Sequence, residues 1–232
     1  MSKELAGRVI LVAGASSGIG RATALALHER GAVVHALARR APEVAGVIAH
    51  AVDVTDRAAL EAALAPVAAV DAVVYCAGTN VPKRRLDELA PEDWDRLVDT
   101  NLTGAFNVVH ATLARLRASR GDLVITSSVS SRWPDASGPA YQASKGGLTS
   151  FAYAVAAEER EHGVRVCAIE PGMVDTPLLE RRPVPPDAAT RERMLRPEDV
   201  ADAIAYVLAL PERVAIPSLV ILPAALQTLG RT

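Results

Sequence analysis

Aromatic residues and cysteines are scarce in this sequence of 232 residues. Phenylalanine, tryptophan and tyrosine together make up only 3% of the chain, although half of its residues are apolar. A core must therefore be packed from alanine, valine, leucine and isoleucine, which suits parallel strands flanked by alanine-rich helices. The two cysteines, Cys76 and Cys167, each lie in an apolar segment typical of a strand, which favours buried thiols over a disulfide or a metal-binding pair. We predict no metal site.

The chain also lacks an excess of basic charge and any long apolar run. Its formal net charge is -2, so it has no surplus of cations to neutralise a phosphate backbone, and nucleic acid is not an expected partner. The residues Met1 to Glu4 lack the apolar stretch of a secretory signal, and no run approaches the length needed to cross a bilayer. We therefore expect a cytoplasmic protein with no membrane partner.

Short apolar runs alternate with longer amphipathic segments. The runs predicted as strands are Arg8 to Ala13, Val33 to Ala38, Val47 to Val52, Ala72 to Cys76, Leu123 to Thr126, Val164 to Ile169 and Ile216 to Leu222. Helical segments between most of them indicate βαβ units. The pattern predicts a single α/β domain over residues 1–232: a Rossmann-type, doubly wound, seven-stranded parallel sheet with helices on both faces. Its ligand crevice should lie at the carboxyl ends of the strands, where the winding direction reverses.

The least regular stretch runs from Glu170 to Pro197 and contains six prolines among charged residues. Proline lacks a backbone donor, so this stretch is not expected to form a continuous helix or strand. We predict a substrate lid near residues 174–196, because long loops in compact domains are often functional. The alternative is a mobile connector with no role in binding.

A glycine-rich turn follows the first predicted strand. Gly14, Gly18 and Gly20 have the spacing Gly-x-x-x-Gly-x-Gly and lead into a good helix former. A turn without β-carbons lets backbone amides and a helix N-terminus approach a pyrophosphate. The alternative is an ordinary βα turn, although a strand before and a helix after are the context that a dinucleotide site needs. The motif resembles that of the short-chain dehydrogenase/reductase family, and the resemblance covers nearly the whole chain.

The resemblance implies a cofactor site, and the residues after the second strand indicate which cofactor. Ala38 is followed by Arg39 and Arg40. An acidic residue there would bind the ribose hydroxyls of NAD, whereas a small residue and two guanidiniums leave room and charge for a 2′-phosphate. We therefore expect NADP(H) rather than NAD(H), the alternative being two solvent-exposed arginines. The residues assigned to the cofactor are Gly14, Ser16, Ser17, Gly18, Ile19, Gly20, Arg39, Arg40, Asp53, Val54, Ala77, Gly78, Tyr141, Lys145, Pro171, Gly172, Val174 and Thr176.

Some of these assignments leave alternatives open. Asp53 matches the adenine-contacting aspartate of the family, but it would also serve to cap the helix that starts near Asp56. The family usually has Asn-Asn-Ala-Gly after the fourth strand, whereas this chain has Tyr75-Cys76-Ala77-Gly78. The Ala-Gly half is kept, and how the turn is braced without the asparagines is open.

Tyr141 and Lys145 form a candidate catalytic pair. Four residues apart in a helical segment, they share one face, one turn apart. A phenol with a pKa of about 10 is a poor acid or base near neutrality, and a lysine about 5 Å away favours the phenolate by roughly 3 kcal/mol. The chain has only three lysines, Lys3, Lys83 and Lys145, so a lysine here departs from its strong preference for arginine. The alternative is a chance surface pair.

The resemblance adds Ser128 and Asn101 to the catalytic set. Ser128 lies thirteen residues before Tyr141, where a hydroxyl would donate to a substrate carbonyl oxygen, and Ser127 and Ser130 compete for that role. Asn101 lies in a long helix predicted around residues 92–117 and would hold a water that connects Lys145 to solvent. Its alternative is an ordinary polar helix residue.

These residues predict an NADP(H)-dependent oxidoreductase that reduces a carbonyl or oxidises the corresponding secondary alcohol, with Tyr141 as general acid or base. The alternatives are an NAD-dependent alcohol dehydrogenase and a non-catalytic, cofactor-binding regulatory protein. The family resemblance implies a homodimer or homotetramer formed through the helices around 92–117 and 141–160. Residues 195–200 and 216–223 look similar to bacterial hydroxy-acid dehydrogenases. An anionic substrate would use the charges at 83–85, and a bulky ketone the residues at 133–134.

Overall fold

Seven short apolar runs form one sheet in the computed structural model, which describes residues 5–226. The strands are β1 Val9–Ala13, β2 Val33–Ala38, β3 Ile48–Ala51, β4 Ala72–Tyr75, β5 Asp122–Thr126, β6 Arg165–Pro171 and β7 Ser218–Ile221. All neighbours pair in parallel, in the order β3-β2-β1-β4-β5-β6-β7. The predicted fold is confirmed, and every predicted strand is present with its ends moved by at most two residues. Of the predicted domain, residues 1–4 and 227–232 lie outside the described part.

Helices cover both faces of the sheet. They are α1 Gly18–Glu29, α2 Arg57–Leu64, α3 Pro91–Val98, α4 Gly104–Ser119, α5 Pro139–Glu159, α6 Ala188–Glu192 and α7 Pro197–Leu208. Helices α2, α4 and α5 pack their aliphatic residues on one face, and α1 and α7 pack theirs on the other. Within residues 5–226, Tyr75 is the one aromatic side chain of the buried core, as the scarcity of aromatics predicts.

The chain reverses its winding direction beside β1. It runs outward from β1 through β2 to β3 and then crosses back to β4, on the other side of β1. The crossovers on the two sides diverge at the carboxyl ends of β1 and β4, which opens a crevice there. The glycine turn follows β1, so it lies at the mouth of this crevice.

The helix predicted around residues 92–117 is not regular. A π-helical turn, Asp99–Thr103, separates α3 from α4, and it closes with a hydrogen bond from the Gly104 amide to the Asp99 carbonyl. Such a turn contains one residue more than an α-helical turn and is frequent at functional sites. The prediction of a single uninterrupted helix is corrected here, because one inserted residue leaves little trace in the apolar pattern.

The stretch from Glu170 to Pro197 is irregular, as predicted. Strand β6 extends to Pro171, and two short helices follow, a 3-10 helix at Pro177–Arg181 and α6. The ends of the stretch are joined, because the Leu195 amide donates to Met173 O at 3.0 Å and the Asp175 amide donates to Leu195 O at 2.8 Å. The segment is thus an excursion that leaves and re-enters the fold at one place.

Both cysteines are free thiols. Burial raises the pKa of Cys76 to about 11 and the pKa of Cys167 to about 12, so both remain protonated at neutral pH. Within residues 5–226, no helix has the length and apolar character required to cross a membrane.

Candidate active site

The glycine turn after β1 leaves no room for side chains. Gly14 has a φ of +87°, and a β-carbon there would lie 2.5 Å from the Ala77 amide nitrogen. A β-carbon at Gly20 would lie 2.3 Å from the Gly14 carbonyl oxygen. Only glycine fits at both positions. The turn after β1 therefore packs closely against Ala77 in the turn after β4.

The N-terminus of α1 faces this crevice without a cap of its own. Ser17 is the N-cap residue, but its side chain makes no capping hydrogen bond, and the first helical turn contains no acidic residue. Ser16 and Ser17 are both exposed, while Ile19 is half-buried. Free amide groups and the positive end of the helix dipole therefore fit an anionic pyrophosphate.

The Pro-Gly turn after β6 forms the opposite wall. The Thr176 methyl carbon lies 3.1 Å from the β-carbon position of Gly18, so Thr176 packs directly over the glycine turn. Gly172 follows Pro171, and its amide donates to Ile221 O at 2.8 Å. The Val174 side chain is buried in the core, so any contact of Val174 with a cofactor would be made by its backbone.

Arg39 and Arg40 follow β2, and both side chains are exposed. Neither forms an ion pair with another residue in the range 5–226. Two guanidiniums without carboxylate partners fit the phosphate that the sequence predicted at this strand end.

Asp53 does not cap a helix. Its carboxylate accepts hydrogen bonds from the Thr55 amide at 3.0 Å and the Thr55 hydroxyl at 2.8 Å, whereas Asp56 caps α2 by accepting from the Ala59 amide. The capping role is therefore excluded for Asp53, which leaves its cofactor role as a prediction. The neighbouring Val54 is buried against Gly104.

Helix α5 holds Tyr141 and Lys145 on one face. Gly138, with a φ of +89°, precedes Pro139 at the start of the helix. The Lys145 ammonium nitrogen lies 5.8 Å from the centre of the Tyr141 ring and donates to the Thr126 carbonyl at 2.9 Å. A β-carbon at Gly78 would lie 3.5 Å from that nitrogen, so Lys145 reaches the turn after β4.

Burial dominates the protonation of both groups. It raises the pKa of Tyr141 to about 12 and lowers the pKa of Lys145 to about 8. A hydrogen bond from Ser128 and the charges of Arg182 and Arg84 only partly offset the effect of burial on Tyr141. The sequence predicts that Lys145 lowers the Tyr141 pKa; the net shift in the protein is upward, because loss of hydration outweighs the positive charges of Arg182 and Arg84.

Among the three candidate serines, Ser128 is the one whose hydroxyl acts on the Tyr141 phenol and lowers its pKa against the effect of burial. Its hydroxyl oxygen also accepts from the Ser130 amide at 3.1 Å and lies 3.1 Å from the Ser130 hydroxyl. Ser130 in turn donates to Asp135 at 2.5 Å. Ser127 instead donates to the Lys145 carbonyl at 3.0 Å, which ties β5 to α5.

Asn101 is completely buried in the π-helical turn. Its side-chain oxygen accepts from the Thr79 amide at 2.7 Å, and its amide nitrogen donates to the Thr79 carbonyl at 3.1 Å and to the Ser144 hydroxyl at 2.9 Å. Asn101 thus fixes the turn after Gly78 against the residue that precedes Lys145. Its predicted role in holding a water stays a prediction.

Tyr75 explains how the turn after β4 is braced without the asparagines usual in the family. Its phenol donates to the Thr100 carbonyl at 2.5 Å, and burial raises its pKa well above the ordinary value, so it remains a donor. A β-carbon at Gly104 would lie 2.6 Å from the phenol oxygen. Cys76 adds a 3.2 Å contact with the Thr126 hydroxyl. The brace therefore joins β4 directly to the turn that carries Asn101.

Three residues around this site were not identified from the sequence: Asp135, which orients Ser130, and Arg181 and Arg182 of the segment after β6. Arg84 was expected from the sequence, as one of the charges at 83–85 that an anionic substrate would use. For Asp135 the available signal was an acidic residue in a turn between the serine and tyrosine motifs.

Comparison with known proteins gives concordant matches. Residues 8–184 match a family model described as short chain dehydrogenase. The cis-4-hydroxycyclohexanecarboxylate dehydrogenase of Sinomonas cyclohexanicum is 37% identical over 227 residues, which cover 89% of this chain and 91% of that protein.

Two solved structures show the same fold. The closed form of a serine dehydrogenase complexed with NADP+ has 28% identity and a TM-score of 0.86, and the match covers 97% of this chain and 98% of that one. A 3-ketoacyl-(acyl-carrier-protein) reductase from Brucella melitensis, complexed with NADH, has 26% identity and a TM-score of 0.84, with 95% and 99% covered.

Proposed function

This chain belongs to the short-chain dehydrogenase/reductase family, and from that premise we propose that it is an NADP(H)-dependent oxidoreductase that reduces a carbonyl or oxidises the corresponding secondary alcohol. One observation carries the proposal. Ser128 and Lys145 both lie beside Tyr141, and Lys145 reaches Gly78 at the edge of the crevice that the glycine turn borders. A hydroxyl, a phenol and an ammonium around one point match the needs of proton transfer to a carbonyl oxygen.

The residues of the crevice fit a nicotinamide dinucleotide. The uncapped N-terminus of α1 and the glycines at 14 and 20 suit its pyrophosphate, and Gly78 leaves the ammonium of Lys145 accessible for hydrogen bonds to ribose hydroxyls. When bound, the cofactor supplies or accepts a hydride at the substrate carbon.

In the reductive direction, Tyr141 donates its proton to the carbonyl oxygen and Ser128 stabilises the negative charge that develops there. A Tyr141 pKa of about 12 keeps the phenol protonated at neutral pH, which suits the acid role. The Ser128 hydroxyl can rotate from Ser130 toward the substrate, while the Ser130 amide holds its oxygen in place. Asp135 holds the Ser130 hydroxyl, and Ser130 in turn positions Ser128.

In the oxidative direction, Tyr141 must accept a proton, and the groups around it favour this. Lys145, Arg84 and Arg182 place positive charge near the phenol, which stabilises the phenolate. Asn101 holds the backbone at Thr79 beside Lys145, and we propose that a water at this position passes the proton to solvent.

The preference for NADP(H) rests on Arg39 and Arg40. Both cofactor types occur among the structural neighbours, so the charges of this chain decide the proposal. Each charge-assisted contact to a phosphate contributes about 1.5–3 kcal/mol, which corresponds to roughly a 10- to 100-fold change in affinity.

The segment 174–196 is proposed as a lid over the substrate. Its two ends meet at Val174 and Leu195, so the loop between them can pivot about that bridge once the contacts of Arg181 with Arg84 and Thr79 open. The serine dehydrogenase with NADP+ is in a closed form, which supports a moving element in this fold.

We further propose a homodimer or homotetramer formed through α4 and α5, where Phe106 and Tyr153 are about 40% exposed.

The proposal is tested by following NADPH and NADH consumption with a panel of keto acids, keto esters, diketones and aryl ketones. Wild type is compared with the double variant Arg39→Ala, Arg40→Ala. We expect turnover with NADPH, and in the variant a rise in the Kd for NADPH of roughly 10- to 100-fold or more with the Kd for NADH little changed. Equal use of both cofactors would refute the NADP(H) preference. Tight cofactor binding without turnover of any carbonyl would instead favour the non-catalytic alternative.

A further inference from the structure

Two arginines from distant segments, Arg84 and Arg181, meet beside the start of α5, the helix that carries Tyr141. Arg84 donates from Nε to the Val81 carbonyl at 3.0 Å and from Nη2 to the Arg181 carbonyl at 2.7 Å. Arg181 donates back to the Thr79 hydroxyl at 2.8 Å. The turn after β4 and the proposed lid are therefore joined by guanidinium groups, with Arg182 next in the chain.

These arginines have no carboxylate partner. Within residues 5–226, neither Arg84, Arg181 nor Arg182 forms an ion pair, whereas Arg117 and Arg165 on the other side of the fold each hold a carboxylate at 2.7 Å or less. Arg84 is nevertheless only 7% exposed. Arginine stays charged in proteins, and a buried charge without a counter-ion is unfavourable, so this arrangement favours binding of an anion.

The acidic residue whose charge acts on Arg84, Asp135, is already engaged. Asp135 acts on Arg84 and Tyr141 through its charge, but its two oxygens accept hydrogen bonds from the Ser130 hydroxyl and the Ser137 amide. The positive charges of Arg84 and Arg182 also repel each other. Asp135 offsets this repulsion only in part, because burial and Arg182 together still lower the pKa of Arg84, and an incoming anion would offset the rest.

The cluster adjoins the reacting end of the site. A β-carbon at Gly138, three residues before Tyr141, would lie 2.4 Å from the Arg84 carbonyl oxygen. The Asn80 side chain donates to the Ser137 carbonyl at 3.1 Å, which fixes the Arg84 segment against the start of α5. The charges of Arg84 and Arg182 both act on the Tyr141 phenol. Arg39 and Arg40 follow a different strand, at the other side of β1, and are separate from this cluster.

We propose that the substrate carries a carboxylate, and that Arg84 and Arg182 bind it while Arg181 holds the lid against the turn after β4. The substrate class is then a keto acid or hydroxy acid whose reacting carbon lies at Tyr141. A planar guanidinium suits this task because it can donate two parallel hydrogen bonds to a carboxylate. This inference rests on the proposed function, since it identifies the substrate of that same site.

The test compares acids with their neutral esters. NADPH-dependent reduction of acetoacetate, 4-oxopentanoate and 4-oxocyclohexanecarboxylate is measured against reduction of the three methyl esters. We expect wild type to prefer at least one acid, and Arg182→Gln to raise the KM for that acid by roughly 10- to 100-fold while the ester is unaffected. Arg96→Gln is the matched control, because Arg96 is an exposed arginine of α3 that pairs with Asp93, and it should change neither KM.

Other results overturn the inference and distinguish its failure from that of the proposed function. Esters reduced as well as acids, or an equal loss for both in Arg182→Gln, would show that no carboxylate is recognised while the oxidoreductase activity stands. A rise in the Kd for NADPH instead would assign the arginines to the cofactor phosphates. If neither acid nor ester is reduced, calorimetry of the acids with NADPH-bound protein still decides: binding that weakens in Arg182→Gln and in Arg84→Lys supports the inference, and no binding by wild type refutes it.

Discussion

Replacement of Lys145 by methionine should stabilise the protein while it abolishes its activity. Lys145 is 5% exposed, and burial lowers its pKa from 10.5 to about 8. That difference corresponds to about 3 kcal/mol of unfavourable free energy for the charged form at pH 7. Methionine fills similar space without charge but gives up the hydrogen bond to Thr126, which contributes about 1 kcal/mol. We therefore expect a net stabilisation of about 2 kcal/mol in Lys145→Met.

The pH dependence gives the sharper test. Between pH 8 and 10.5 the unfolded chain binds more protons at Lys145 than the folded chain does, so wild-type stability rises through this window as the folded lysine is already neutral. Lys145→Met lacks that contribution, and the difference in stability between the two proteins should shrink from pH 8 to pH 10.5.

The assay is urea unfolding at 25 °C without cofactor, followed by circular dichroism from pH 7 to pH 10. Lys83→Met is the matched control, because Lys83 is exposed and its replacement should leave stability within about 0.5 kcal/mol of wild type. Two results would refute the view that burial of the charged Lys145 destabilises the folded protein. One is a Lys145→Met protein that is less stable than wild type at pH 7, and the other is a difference in unfolding free energy that does not change with pH.

Three further predictions follow from other contacts. Tyr75→Phe removes the donor to Thr100 and should lower the unfolding free energy by about 1–2 kcal/mol in urea and reduce kcat more than it changes KM. His35 Nδ1 and His50 Nε2 lie 2.9 Å apart, and burial lowers the pKa of both rings, so the unfolding free energy should fall as the pH drops below about 6.5. In urea titrations at pH 7 and pH 5, His50→Gln should reduce that fall. Phe106→Glu should shift the assembly to monomer in light scattering, and an unchanged mass would exclude α4 as the interface.

The elements of the fold were predictable because local patterns decide them. Each strand is a short apolar run between polar segments, and the spacing of the three glycines between a strand and a helix marks the turn. The spacing of Tyr141 and Lys145 likewise determines their common helix face. These patterns each lie within a few residues, so one sequence is sufficient to predict them, whereas the contact with Ala77 that requires Gly14 is visible only in the structure.

The remaining features depend on contacts between distant segments. The pKa of Tyr141 was misjudged because pairwise charge was visible in the sequence while burial was not. Arg84 meets Arg181 across 97 residues, and Tyr75 donates to the carbonyl of Thr100, 25 residues away in the π-helical turn. No periodicity encodes such contacts, and so the brace and the arginine cluster become visible only in three dimensions.

The most direct test of the proposed chemistry is turnover by Tyr141→Phe in protein that binds NADPH normally. Tyr153→Phe is the control, because Tyr153 lies on the same helix but is 40% exposed and contacts Arg132 instead. With the best carbonyl of the panel, we predict a loss of roughly 100-fold or more in kcat for Tyr141→Phe at an unchanged Kd for NADPH, and none for Tyr153→Phe. Turnover close to that of wild type in Tyr141→Phe with bound NADPH would contradict the assignment of Tyr141 as the group that exchanges a proton with the substrate.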